Sequence, residues 1–184
     1  MTTFLNTLST IAAAGTLALT LSLPAFAAGS DSGEPPAATE TTKTCKDGKV
    51  RDKDKKECVD PQKSGFNDTQ LYENARELAY AGQYDNAIKV LKVASNQNDP
   101  RILNYMGFSN RKAGRMQLGM SYYKKALAID GNYLQARSYM GQALLQQGDR
   151  EGARTQLVEI RDRGGENTYA YRALNDSLKR NTSY

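Results

Sequence analysis

Residues 103–126 read LNYMGFSNRKAGRMQLGMSYYKKA, and residues 137–160 read RSYMGQALLQQGDREGARTQLVEI. Equivalent residues of the two stretches lie 34 positions apart, and the matching pairs are Met106 and Met140, Gly107 and Gly141, Gly114 and Gly148, and Tyr123 and Leu157. Each stretch contains two amphipathic segments joined at a glycine, which indicates two helices connected by a tight turn. The sequence therefore predicts a repeated helical hairpin.

This pattern resembles the tetratricopeptide repeat, in which a helical hairpin recurs every 34 residues. In that family, small residues lie where the two helices cross closely, and large apolar residues fill the space between hairpins. Three units match, through Leu71, Leu78, Gly82, Tyr84, Ala87, Leu91 and Ala94 in the first, Leu103, Met106, Gly107, Gly114, Gly119, Tyr123 and Ala126 in the second, and Met140, Gly141, Leu144, Gly148, Ala153 and Leu157 in the third. No unit has the early Trp of the family, and Asp99-Pro100 shortens the first interval between turns to 32 residues.

The resemblance implies an all-α fold, a short solenoid of three hairpins over residues 65–166, followed by a capping helix and tail over 167–184. The predicted helices are 68–81 with 84–96, 100–113 with 116–129, and 133–147 with 150–163. The capping helix is expected over 167–180, with Asn167 as its N-cap and an apolar face of Ala170, Tyr171, Leu174 and Leu178. A cap is needed because the terminal repeat would otherwise expose its stacking face.

The N-terminus has the pattern of a secretory signal peptide over residues 1–28. Residues 4–23 form a largely apolar run, which ends at Pro24 and precedes the sequence AFAA, a small-x-small cleavage site. No Lys or Arg precedes the run, and an uncleaved membrane anchor is the alternative. We therefore expect the protein to be exported, to the periplasm or as a secreted protein.

A linker and a two-cysteine loop are expected next. Residues 29–44 contain no large apolar side chain, so the sequence predicts a disordered linker there. Cys45 and Cys58 are the only cysteines, and in an oxidising compartment they predict a disulfide that closes a loop over residues 45–64. A structural zinc site would need about four Cys or His ligands, and a thiol oxidoreductase favours Cys-x-x-Cys. No metal site is therefore predicted.

The composition argues against catalysis. The chain has no His, which removes the commonest general base and the commonest metal ligand. It also lacks a Gly-rich phosphate loop and a nucleophile elbow, so we predict a non-enzymatic protein without a cofactor. One alternative function rests on charge. Residues 43–63 carry eight Lys or Arg against five Asp or Glu, and this segment could bind anionic envelope components or nucleic acid. Nucleic acid is not expected, because charges of both signs are interspersed.

The family resemblance also implies a binding surface, because the first helices of tetratricopeptide hairpins line a concave groove for peptides or partner helices. The groove residues it implies are Tyr72, Arg76, Tyr80, Asn104, Phe108, Arg111, Lys112, Ser138, Gln142 and Gln146. Aromatic, cationic and amide side chains suit a partner segment with acidic groups. We therefore expect a scaffold or adaptor for a protein or peptide partner. The alternatives are packing between helices for Tyr72 and Phe108, and ordinary surface charge for Arg111 and Lys112.

Overall fold

Helices account for most of the fold in the computed structural model, which describes residues 33–180. In chain order the elements are α1 (Glu40–Thr44), β1 (Val50–Asp52), β2 (Glu57–Val59), α2 (Asp68–Tyr80), α3 (Tyr84–Leu91), α4 (Pro100–Lys112), α5 (Met116–Ile129), α6 (Leu134–Gln146), α7 (Arg150–Asp162) and α8 (Tyr169–Arg180). A short 3₁₀ helix, Pro61–Lys63, connects β2 to α2. Within this described range, no helix is both long and apolar enough to cross a membrane. The predicted signal peptide, residues 1–28, lies outside the described residues.

Three helical hairpins stack in sequence order, which confirms the predicted all-α repeat architecture. Helices α2 and α3, α4 and α5, and α6 and α7 form the hairpins, and α3 packs on α4 as α5 packs on α6. Helix α8 contacts both α6 and α7 and caps the stack. Along this stack, buried apolar side chains form a continuous core from β1 through the first two hairpins to α6, and a second cluster lies beneath α8.

Local capping signals explain where several helices begin. Asn67 and Gln70 form a reciprocal capping box at the start of α2, with the side chain of each bonded to the backbone N–H of the other. Asp99 accepts a hydrogen bond from the backbone N–H of Arg101 and precedes Pro100, a residue suited to the first helical position. The two short connections between helices at Gly114 and Gly148 have φ of +84°, a conformation that favours glycine.

Two helix boundaries differ from the prediction by more than one residue. Helix α3 ends at Leu91 instead of 96, because the carboxylate of Asp68 accepts hydrogen bonds from the backbone N–H groups of Ser95 (2.7 Å) and Asn96 (2.8 Å) and draws the chain toward the start of α2. Helix α8 begins at Tyr169. Thr168 caps it in place of Asn167, since the Thr168 hydroxyl accepts a hydrogen bond from the backbone N–H of Tyr171 at 3.3 Å.

Close helix crossings confirm the role expected of the small residues. A Cβ atom added to Gly107 would lie 2.6 Å from the ring of Tyr123, and one added to Gly119 would lie 2.9 Å from the carbonyl oxygen of Gly107. A Cβ atom on Gly141 would lie 2.6 Å from a methyl group of Leu174. Helices α4 and α5, and α6 and α8, therefore approach more closely than any larger side chain permits.

The segment before the repeats is more ordered than the sequence predicts. The predicted Cys45–Cys58 disulfide is present, and it links the end of α1 to β2, which pairs antiparallel with β1. Val50 of β1 is fully buried in the main core, so the loop over 45–64 packs against the repeats. The described part of the predicted disordered linker, 33–44, contains α1 and forms hydrogen bonds to α2. Its polar side chains find partners on α2, which a composition-based argument does not anticipate.

Candidate functional site

Five aromatic side chains join the first helices of the three hairpins. Tyr72 and Tyr80 come from α2, Tyr105 and Phe108 from α4, and Tyr139 from α6. The ring centroids of Phe108 and Tyr139 lie 4.9 Å apart, and those of Tyr80 and Phe108 lie 5.3 Å apart. The hydroxyl groups of Tyr80 and Tyr139 are 2.5 Å apart. Helices α2 and α6 are therefore joined directly, across α4.

Polar side chains lie beside these rings on α4 and α6. Asn104 and Arg111 are seven residues apart on α4, and Gln135 and Gln142 are seven apart on α6. Because seven residues make about two turns, each pair shares one face of its helix. Phe108 lies on the same face of α4 as its pair. We call this surface, with the five aromatic side chains and these four polar residues, the inner face.

The inner face contains buried hydrogen-bonding atoms whose partners are missing. Among the described residues, Asn104 Oδ1, Gln142 Oε1, Gln135 Nε2 and Arg111 Nη2 have no hydrogen-bond partner, and all four residues are buried. A buried polar atom without a partner costs about 1–3 kcal/mol. Two of these atoms accept hydrogen bonds and two donate them, which is the complement that the backbone of an extended chain requires.

Arg111 contributes packing and hydrogen bonds to this surface as well as a positive charge. Its guanidinium lies 5.6 Å from the ring centroid of Phe108, donates to the Tyr123 hydroxyl at 3.3 Å and donates to Gln146 Oε1 at 3.0 Å. Burial raises the pKa of Tyr123. Burial, and then the charge of Arg111, lowers the pKa of Lys112. The interpretation of Arg111 as ordinary surface charge is therefore contradicted by its burial.

Among the other predicted groove residues, Tyr72, Phe108 and Ser138 are buried, whereas Arg76 is partly exposed. Tyr72 and Phe108 pack between helices, the alternative that the sequence left open. Tyr72 contacts Tyr105 of α4, and Phe108 contacts Tyr80 of α2 and Tyr139 of α6. Ser138 is buried and accepts a hydrogen bond from Gln142 Nε2 at 3.4 Å. Arg76 donates from Nε to the Tyr105 hydroxyl at 3.0 Å, so it lies at the edge of the aromatic cluster.

The chain's own residues Gly33 and Glu34 lie at the inner face, a contact absent from the sequence prediction. The Gly33 carbonyl oxygen accepts a hydrogen bond from the Tyr80 hydroxyl at 3.4 Å, and the Glu34 carbonyl oxygen accepts one from Arg76 Nη2. The Glu34 carboxylate pairs with Arg172 of α8 at 3.5 Å. A Cβ atom added to Gly33 would lie 2.1 Å from Gln135 Oε1. These two residues therefore connect α2 to α6 and α8.

A buried carboxylate fixes the chain a few residues further on. Glu77 of α2 accepts hydrogen bonds from the hydroxyl of Thr39 (2.6 Å), the hydroxyl of Thr42 (2.6 Å) and the backbone N–H groups of both residues (2.7 and 3.2 Å). Burial alone would raise the pKa of Glu77, but these hydrogen bonds outweigh it and the pKa is lowered. Thr41 Oγ1 donates to Asn74 Oδ1 at 2.9 Å and accepts from the backbone N–H of Arg51.

The lysine-rich segment forms a charged hairpin that is anchored on one side. Asp52 is buried and accepts hydrogen bonds from the backbone N–H groups of Asp54 and Lys55 in the turn. The hydrogen bonds from Lys55 and Asp54 lower the pKa of Asp52, against a smaller opposing effect of burial. Across the described residues, no group of three or more His, Cys, Asp or Glu side chains could hold a metal ion.

Comparison with known proteins agrees with this architecture. The tetratricopeptide repeat family model matches residues 111–176, from the end of α4 into α8. A search of the curated proteins finds no match. The crystal structure of the Yersinia enterocolitica type III secretion chaperone SycD, in complex with a peptide of the translocator YopD, is similar with a TM-score of 0.51 and 21% identity, over 61% of this chain and 87% of that chain. At that identity the likeness shows the fold alone. Residues 111–176 thus match the tetratricopeptide repeat family, and the three stacked hairpins have the helical-hairpin architecture of that fold.

Proposed function

We propose that this protein is a non-enzymatic, exported adaptor that binds an extended segment of a partner protein at its inner face. The observation that carries the proposal is the set of buried side-chain atoms without partners, Asn104 Oδ1, Gln142 Oε1, Gln135 Nε2 and Arg111 Nη2. A ligand that supplies hydrogen-bond partners to these atoms removes a free-energy cost that the unbound protein carries. The backbone of a peptide offers both donors and acceptors, so it fits the set.

The surroundings of these atoms favour a peptide with acidic groups. Tyr80, which packs on the buried ring of Phe108, is a partly exposed aromatic residue at this surface, and tyrosine is typical of residues that dominate binding energy. Arg76 and Arg111 place two guanidinium groups at the same surface, and such groups pair with carboxylates in a bidentate manner. SycD was crystallised with a peptide of its translocator, which supports peptide binding as a use of this fold.

The test is capture of a partner by chemical crosslinking in an envelope extract. The variant combines Asn104→Leu and Gln142→Leu, which remove the two unpartnered acceptors and leave side chains of similar size. We expect the double variant to lose the captured partner while its stability stays within about 1 kcal/mol of the parent. Removing two buried acceptors without partners offsets the loss of the hydrogen bonds from Asn104 Nδ2 to Tyr133 and from Gln142 Nε2 to Ser138.

Ser109→Ala is the matched control. Ser109 Oγ is also buried and without a partner in the described part of the chain, but at about 100° per residue it lies some 140° around α4 from Asn104. The control should retain the partner. Loss of capture in both variants, or in neither, would contradict binding at the inner face. Capture that disappears in modest salt in every variant would favour the lysine-rich segment, 43–63, as the binding surface.

A further inference from the structure

We propose that residues 33–44, here called the strap, are a built-in occupant of the inner face, and that a partner segment binds by displacing Gly33 and Glu34. The displacement step rests on the proposed function. The closure of the strap over the inner face is independent of it. The strap is part of this chain and is present whether or not a partner is bound, so it acts as an internal competitor.

The first argument is the position of the strap's leading residues. The carbonyl oxygens of Gly33 and Glu34 accept hydrogen bonds from Tyr80 and Arg76, both on α2. Gly33 is buried, and the space for its missing side chain is taken by Gln135 of α6. The same two residues therefore reach two of the three helices that form the inner face, at side chains that the proposed partner would use.

The second argument is the difference between the two ends of the strap. At the trailing end, Glu77 receives four hydrogen bonds from Thr39 and Thr42, and the disulfide of Cys45 ties the following residue to β2. The leading end has the two carbonyl hydrogen bonds to Arg76 and Tyr80 and the ion pair of Glu34 with Arg172, which is more than half exposed on both sides. Exposed pairs contribute little, whereas the trailing end is held by a buried carboxylate and a covalent bond. Displacement is therefore expected at the leading end while the trailing end stays fixed.

The strap also indicates the chemistry of the segment that replaces it. At Gln135 the site favours glycine, because a Cβ atom there would lie 2.1 Å from Oε1 and would require the buried Gln135 side chain to move. Arg76 and Tyr80 bind backbone carbonyl oxygens, and Arg172 faces a carboxylate. A partner that competes for these positions carries a glycine followed by an acidic residue in an extended segment.

The experiment compares Gly33→Ala with Gly65→Ala in the purified full chain. The two glycines have similar positive φ, +69° and +72°, so alanine strains the backbone equally at both positions. Only Gly33 has neighbours for the added methyl group, since nothing lies within 4 Å of a Cβ atom at Gly65. A difference between the variants therefore reports the contact with Gln135 at the inner face.

The probe is a fluorescent peptide with the sequence of residues 29–38, GSDSGEPPAA, and its binding is followed by anisotropy. We expect Gly33→Ala to bind it about fivefold or more tightly than Gly65→Ala, because apparent affinity rises with the fraction of molecules in which the inner face is open. The same peptide with lysine in place of its glutamate should bind both proteins weakly. Equal binding of the glutamate peptide by both variants would overturn the proposal.

A second measurement locates the strap directly. A benzophenone side chain introduced in place of the exposed Pro35 should, on irradiation, form a crosslink within the chain to α6 or α8, and its yield should fall in the Gly33→Ala background but not in Gly65→Ala. A crosslink elsewhere, or an unchanged yield, would refute the strap. If the strap is refuted but a partner is still captured through the inner face, only the strap proposal fails. If the strap behaves as expected but no partner is captured, only the proposed function fails.

Discussion

The buried carboxylate of Glu77 anchors the strap, and Glu77→Gln tests that role with the smallest change of shape. In the parent, one carboxylate oxygen accepts from the backbone N–H groups of Thr39 and Thr42 and from the Thr42 hydroxyl, and the other accepts from the Thr39 hydroxyl. Gln keeps the first acceptor but removes the charge and replaces the second oxygen by a donor group. The loss is therefore charge-assisted hydrogen bonding in a site that is 7% exposed.

The expected loss of stability follows from these four contacts. A hydrogen bond to a charged group contributes about 1.5–3 kcal/mol, and a neutral one about 1 kcal/mol. Because the contacts share one carboxylate, their effects do not add, and we expect Glu77→Gln to lower the free energy of unfolding by about 2 kcal/mol at pH 7. Urea unfolding followed by circular dichroism measures the difference.

The pH dependence of the stability difference between the parent and Glu77→Gln is the more specific test of this role. Because the pKa of Glu77 is lowered in the folded protein, its contribution to stability is complete above the pKa of the unfolded chain, about 4.3. The contribution is lost as the pH falls through the lower, folded pKa. The gap between parent and variant should therefore close on acidification below about pH 4. Glu73→Gln, at an exposed position of the same helix, should behave like the parent. A gap that is absent at pH 7, or unchanged at low pH, would refute the reasoning.

Further predictions concern the repeats, the disulfide and the N-terminus. Gly114→Ala should lower the free energy of unfolding by about 1 kcal/mol, because alanine is strained at the positive φ of this turn. Gly141→Ala should lower it by about 1–3 kcal/mol, because the added methyl group collides with Leu174 of α8. Urea unfolding measures both differences. The double variant Cys45→Ser and Cys58→Ser should lose about 3 kcal/mol while its far-ultraviolet dichroism still reports folded repeats. N-terminal sequencing of the protein recovered from its producing cells should show that residues 1–28 have been removed, and an intact N-terminus would favour the membrane anchor.

The repeats could be predicted from the sequence because their determinants are local. The turn glycines and the apolar spacing lie within each hairpin, so the bounds of α4, α5, α6 and α7 agree with prediction to within one residue. The early end of α3 could not be predicted, since Asp68 acts on a residue 27 positions away. The repeat pattern indicates that Asn104 and Gln142 share a surface, but their burial without partners becomes visible only when the hairpins are stacked.

The strap escaped prediction for a different physical reason. Its contacts with α2 use backbone carbonyl oxygens and threonine hydroxyls, and they join residues separated by 33 to 47 positions. No periodic pattern in a polar segment reveals such pairings, because a segment with the same composition remains disordered when no matching surface exists. The matching surface here is one buried carboxylate, Glu77, and two side chains at the edge of the aromatic cluster, Arg76 and Tyr80.

The aromatic cluster also changes how the repeats respond to an occupant. In an extended solenoid each repeat contacts only its neighbours, but here Tyr80 of the first hairpin and Tyr139 of the third are hydrogen-bonded at 2.5 Å. Tyr80 also donates to the carbonyl oxygen of Gly33. One hydroxyl group therefore takes part both in closing the first hairpin onto the third and in holding the strap. An occupant that takes the place of Gly33 therefore changes the hydrogen bonding of the same hydroxyl group that joins α2 to α6.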